Sequence, residues 1–236
     1  MNENLNQQSS YTKEISREFF KNVYAYMFGA LIISGVLASY CGTPEFFAAN
    51  FLNSTGGISP LFYVVMFSPL VLGLIIQSAY MRLSYGALLG LFVAYSALMG
   101  VSLSVIFLVY DLPTLASTFF VSAGAFAGMA ILGYTTKTDL SKMGSMLYMV
   151  FIGIFIAGIV NMFLHNSMMD FIISVLGVFV FTGLTAYHMQ QLKHISQETS
   201  ISSLDRQKLS LVGGLTLYIL FVNLFLSLLR LVGGRD

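Results

Sequence analysis

Residues Leu209 to Leu229 read LSLVGGLTLYILFVNLFLSLL, 21 positions without a charge, bracketed by Lys208 and Arg230. A helix crossing a hydrocarbon core of about 30 Å needs about 20 mostly apolar residues, and this run supplies them. It lacks the apolar–polar alternation of a barrel strand, whereas a helix satisfies its own backbone groups, as lipid requires. Six further charge-free runs precede it: Asn22 to Tyr40, Ile58 to Tyr80, Leu83 to Tyr110, Leu112 to Thr136, Met143 to Met169 and Phe171 to Gln191. The expected fold is an all-α membrane protein, a bundle of seven transmembrane helices over residues 22–232. A polar tail covers 1–21, and a polar, Ser-rich, mobile cytoplasmic loop is expected over 192–208.

Composition agrees. Of 236 residues, 57% are hydrophobic and 9% charged, against about 25% charged in a soluble domain. Eleven Lys and Arg against ten Asp and Glu leave a net charge of +1. That balance gives no basic footprint for nucleic acid. The one cysteine, Cys41, excludes an internal disulfide or a thiolate metal cluster within one chain. The tail, with Lys13, Glu14, Arg17 and Glu18, reads either as an amphipathic helix on the membrane face or as a frayed terminus. The run after it is too long for a signal-peptide core, so the first helix is expected to be retained.

Orientation follows the lysines and arginines. With the N-terminus cytoplasmic, Lys13, Arg17, Lys21, Arg82, Lys137, Lys142, Lys193, Arg206 and Lys208 fall on the cytoplasmic side. The opposite loops, Cys41 to Gly57 and those around Asp111 and Asp170, carry no Lys or Arg. Arg230 and Arg235 lie outside if the last run crosses fully, and inside if it re-enters; its length favours seven crossings. Asn53-Ser54-Thr55 is a nominal glycosylation sequon of a kind common by chance.

Small residues let membrane helices approach, because lipid offers no hydrophobic drive between them. Gly86-x-x-x-Gly90 in the third run and Gly124-x-x-x-Gly128 in the fourth are expected to pack helices inside the monomer. Dimerisation or gating is the alternative use of these stripes. Pro69, inside the second run, is the candidate kink.

Ionisable groups inside the runs are functional candidates by default, and the chain offers few. His188 lies near the end of the sixth run and Arg82 in the turn between the second and third; Gln77, Asn161, Gln190 and Asn223 are the other notable polar groups. His188 and His194 are six residues apart and face different ways on a helix, so no metal site is expected. No paired nucleophile and base, Schiff-base lysine in the last run or phosphate cradle is found. The chain is expected to be no enzyme and to need no cofactor. Conduction through a narrow polar seam, or binding of another protein, remains.

Two stretches carry a resemblance. Phe181-Thr182-Gly183-Leu184-Thr185-Ala186-Tyr187-His188-Met189-Gln190 is similar to the Gly-Leu-Thr-Ala-Tyr-Asp-Thr-Gln pattern of the Bax inhibitor-1 family. Leu217-Tyr218-Ile219-Leu220-Phe221-Val222-Asn223-Leu224-Phe225 resembles that family's last-helix stretch Leu-Tyr-Leu-Asp-Phe-Ile-Asn-Leu-Phe. The resemblance covers nearly the whole chain. It implies a bundle with the last helix central, wrapped by the other six. It also implies a pH-sensitive cation leak, calcium above all, linked to stress survival. There, two aspartates on the sixth and seventh helices share a proton, since close carboxylates cannot both ionise cheaply, and an arginine after the second helix latches onto one of them.

The chain departs from that device. His188 and Leu220 stand at the aspartate positions, and Arg82 matches the latch arginine. Leucine neither shares a proton nor coordinates a cation. His188 is a candidate sensor; the alternative is a neutral histidine hydrogen-bonded to Asn223 or a carbonyl. Expected partners are the lipid bilayer and cations. The resemblance also implies, through some bacterial relatives, action on the membrane quality-control protease FtsH, which would make the tail and the 192–208 loop a binding surface. The chain itself is expected to be monomeric.

Overall fold

The computed structural model describes residues 2–233, with side chains from Thr12 onward; Arg235 lies outside the described residues. Nine helices are found among them: α1 (Asn2–Cys41), α2 (Pro44–Phe51), α3 (Pro60–Ala79), α4 (Tyr85–Leu103), α5 (Val105–Val109), α6 (Leu112–Thr135), α7 (Ser141–Leu164), α8 (Ser167–Gln197) and α9 (Ser203–Gly233). Seven stretches are long and apolar enough to cross a membrane, with α4 and α5 together forming one of them. The seven-helix expectation holds. The last helix, α9, is the most buried of the seven.

Several boundaries move, each for a local reason. The polar tail is not separate from the first span. It is continuous helix within α1, and Ser16 and Phe19 are already buried. The 192–208 stretch is mostly helix too: α8 runs on to Gln197 with Leu192 and Ser196 buried, and only Glu198 to Ser202 separates it from α9. Asp170 does not mark a break. The turn falls at His165, in the left-handed region at φ 50°, and Asn166, whose side chain accepts from the Met169 amide at 3.0 Å. Asp170 sits in the first turn of α8, where the helix dipole favours an anion, and accepts a 2.8 Å bond from Asn161.

Pro69 is accommodated inside α3. Proline has no N–H for the carbonyl four residues back. That carbonyl, of Val65, instead accepts the Ser68 hydroxyl at 2.8 Å and the Ser102 hydroxyl of α4 at 3.0 Å.

The chain forms two compact units. One comprises α1 to α5 and α9 as far as Tyr218; the other comprises α6, α7, α8 and α9 from Ile219. In the first, α4 packs on α1 and α3. A methyl at Gly100 would stand 2.7 Å from the Ser34 carbonyl oxygen, and one at Gly214 2.7 Å from that of Val23. Buried Tyr95 and Tyr218 meet edge to face, 6.1 Å between centroids. In the second unit α8 packs on α6 and α7. Gly133 there lies directly on the Ala186 backbone, and Phe221 of α9 sits against Phe119 at 5.3 Å and Phe126 at 5.7 Å.

The glycine stripes expected to pack the bundle do not. Gly86, Gly90, Gly124 and Gly128 are exposed, with nothing within 4 Å of where a methyl would stand. Close packing falls instead to Gly100, Gly133, Gly177 and Gly214. Spacing shows which residues share a helix face, and lipid accepts that face as readily as a neighbour does.

Candidate functional site

The residues that carried the resemblance lie on α8 and α9. On α8, His188 is half-buried and its Nε2 shares a 2.6 Å hydrogen bond with the Tyr148 hydroxyl of α7. The rings of Tyr148 and His188 stand edge to face at 5.9 Å, and Tyr187 packs edge-on against both, at 6.4 Å from Tyr148 and 5.2 Å from His188. Gln191 donates to the Tyr187 hydroxyl at 3.1 Å. Tyr187 fits because Gly144 lies beneath its ring, where any side chain would collide.

Two residues beyond His188 along α8 the polar contacts reach the α6–α7 loop. Gln190, 7% exposed, donates to the Thr138 carbonyl and accepts from the Leu140 amide, both at 2.8 Å. The side-chain amide thus satisfies two backbone groups of the α6–α7 loop. Lys193 donates to the Tyr134 carbonyl at 2.8 Å, with its ammonium 5.4 Å from the centre of that ring. A cation at the last turn of α6 complements the negative end of its dipole. The first unit repeats this device: Lys208 of α9, 6% exposed, donates to the Met81 carbonyl just beyond α3 at 3.4 Å.

The other expected residues are dispersed. Leu220 on α9 is 5% exposed, next to the Phe221 cluster. Asn223 does not bond His188. Its side chain donates to the Ile219 carbonyl of its own helix at 2.8 Å, a local bond always available to a residue of that length. Arg82 is exposed in the turn between α3 and α4, in the first unit. Among the described residues no group of three His, Cys, Asp or Glu is placed to hold a metal ion.

Sequence reasoning missed Tyr148 as the partner of His188, and the roles of Lys193 and Lys208. Gln190 stood inside the quoted pattern, at its glutamine position, and that was a usable signal. Tyr148 is 40 residues away on another helix and gave none.

The relationship to known proteins agrees with this arrangement. A family model described as "Inhibitor of apoptosis-promoting Bax1" matches residues 16–236. The chain belongs to the Bax1-I family. The inner membrane protein YbhL of Escherichia coli K12 is 38% identical over 218 residues, 92% of each chain. A protein of Borreliella burgdorferi is 39% identical over 221 residues, 94% of each. A membrane protein of Streptococcus pyogenes serotype M1 is 32% identical over 219 residues, 93% of each. This Bax1-I member is thus similar to its relatives across nearly its whole length.

Proposed function

We propose that the protein is a monomeric, non-enzymatic component of a bacterial inner membrane, its N-terminus cytoplasmic, that passes a cation leak under altered gating. Calcium is the candidate ion. The family supports the leak, and the skew of nine Lys and Arg to one set of loops supports the orientation. The observation that carries the altered gating is the Tyr148–His188 bond on α7 and α8, together with the burial of Leu220 on α9. A histidine held by a phenol and a buried leucine replace two carboxylates that would split their titrations. The gate therefore lacks the shared proton of an aspartate pair.

Reconstitution into liposomes with calcium and monovalent-ion dyes, read from pH 5 to 8, tests the reading. Flux that differs from empty vesicles supports it; none at any pH removes it. The double substitution His188→Asp with Leu220→Asp sharpens the test, because calcium flux that rises on restoring the carboxylates locates the pathway.

One observation favours a second reading, as a partner of a membrane protease. Residues 14–22 of α1 and the residues from Thr199 to Gln207 line a common groove of about 440 Å³, with Glu14, Glu18 and Phe19 on one side and Ile201 and Arg206 on the other. Protease association that is unchanged when the groove is filled by Ile201→Trp would count against it.

A further inference from the structure

We propose that the groove between α7 and α8, toward their connecting turn, is a binding site for one phospholipid acyl chain. The two helices meet differently along their length. From Leu140 to Phe151, α7 is closed onto α8. The Gln190 clasp, the Gly144–Tyr187 contact, the Tyr148–His188 bond and the Phe151–Phe181 ring pair at 5.9 Å follow one another. Beyond them α7 presents Gly153 and Ala157, and a methyl built at Gly153 meets nothing within 4 Å. A groove of about 540 Å³ opens there, faced by Met169, Ile172 and Leu176 of α8 and closed at the turn by Asn166.

The chemistry of the walls selects the occupant. A water needs two to four polar partners. Asn166 is the one polar side chain in the lining; its oxygen already accepts from the Met169 amide, and its backbone carbonyl and amide are engaged by the Asn161 side chain. An empty groove would forfeit dispersion contacts along its whole lining. Its rim, Ile172 at 49% and Leu176 at 40% exposed, is continuous with the apolar outer face of α7, where Ile152 and Ile156 are each 56% exposed. In a chain with seven spans, that face is the bilayer interface. The flexible, apolar object available along it is an acyl chain, and Met169 can adjust to its shape. The site is independent of the leak reading.

Because lipid tails gain no hydrophobic drive by leaving the bilayer, preference for the groove rests on packing. An enrichment of about threefold over lipid on a convex face is expected on that basis. The chain contains no tryptophan, so single tryptophans report cleanly. Full-length Ile172→Trp at the groove and Phe120→Trp on the exposed face of α6 are compared in detergent micelles titrated with phosphatidylcholine carrying brominated acyl chains. The expected result is half-maximal quenching of the groove tryptophan at about one third of the lipid fraction needed at Phe120→Trp. Adding Gly153→Leu, or independently Ala157→Leu, to Ile172→Trp should remove that difference, with helicity and elution unchanged. Equal curves, or a difference that survives both fillers, overturn the proposal. So does a disulfide-linked dimer of Gly153→Cys in a Cys41→Ser background, which would put a second copy in the groove.

Discussion

Helix α7 is the more apolar of α7 and α9, yet 56% of the apolar stretch of α9 is buried against 6% of that of α7. A soluble protein would order them the other way. In a bilayer hydropathy does not sort them, because lipid is as apolar as a protein interior. What differs is the placement of small and hydroxyl-bearing residues. Along α9, Ser210, Gly214 and Ser227 are buried among Leu211, Leu215, Tyr218 and Leu224. Along α7, Gly144 and Asn161 are the buried residues, and both serve contacts near its ends. Helix α9 is held by close approach along its length; α7 is held by polar contacts and a few ring contacts, and otherwise faces lipid.

The largest expected effect tests that contrast directly. Gly214→Leu drives a side chain into Tyr26 and the Val23 carbonyl, and should cost about 3 kcal/mol or more, since helix backbones cannot give way as a flexible side chain can. Gly153→Leu on α7 should stay within about 0.5 kcal/mol of the parent. Denaturation in mixed micelles measures both. Equal losses would mean that α7 is packed as α9 is, and the comparison would fail.

Next in size is Gln190→Leu. It preserves volume but removes both partners of the loop, from the Leu140 amide and the Thr138 carbonyl. Unpaired buried groups of this kind cost about 1–3 kcal/mol, and water near the loop lowers the sum, so about 2 kcal/mol is expected. Hydrogen exchange at Leu140 should rise with it. Unchanged protection there would show that the clasp does not hold α7.

The seven spans were legible because each is a charge-free run of the right length, and the Bax inhibitor-1 pattern was legible in α8 and α9. Direction was not legible. The stripes Gly86–Gly90 and Gly124–Gly128 have the spacing of packing faces, but they face outward, and one chain does not reveal which side of an apolar helix meets a neighbour. Charge also misled at its edges. Asp170 suggested a loop where the chain makes a capped helix start, and the Ser-rich stretch 192–208 suggested one long loop where α8 runs on to Gln197 and α9 begins at Ser203. At the site, the pattern located His188, Leu220 and Gln190. The environments of His188 and Gln190 depend on Tyr148 of α7 and on Leu140 and Thr138 beside the α6–α7 loop, which tertiary packing brings in.

A smaller effect probes the middle of the closed part of α7. Tyr148→Phe deletes one hydroxyl and leaves both rings in place, so it isolates the bond to His188. A net loss of about 1 kcal/mol is expected, with the imidazole shifted in its NMR spectrum because its Nε2 loses the 2.6 Å partner. A loss near zero with an unmoved resonance would mean that ring packing alone positions His188.

The smallest effect lies at the first turn of α7 and depends on pH. Leu140, at the N-cap, has no capping side chain, so Asp139 takes that role, accepting from the Ser141 amide at 2.9 Å. Bonds from the Ser141 hydroxyl and amide hold the Asp139 carboxyl below its usual range. A carboxylate lowered on folding adds stability that is complete above its unfolded value, near 3.9, and is lost as pH falls through the lower folded one. The parent should therefore hold a flat unfolding midpoint from pH 8 to about 5 and drop below about 4, while Asp139→Asn starts slightly lower and drops less. Parallel curves would mean that the cap is indifferent to charge, leaving that end of α7 to the Gln190 clasp and the Gly144–Tyr187 contact.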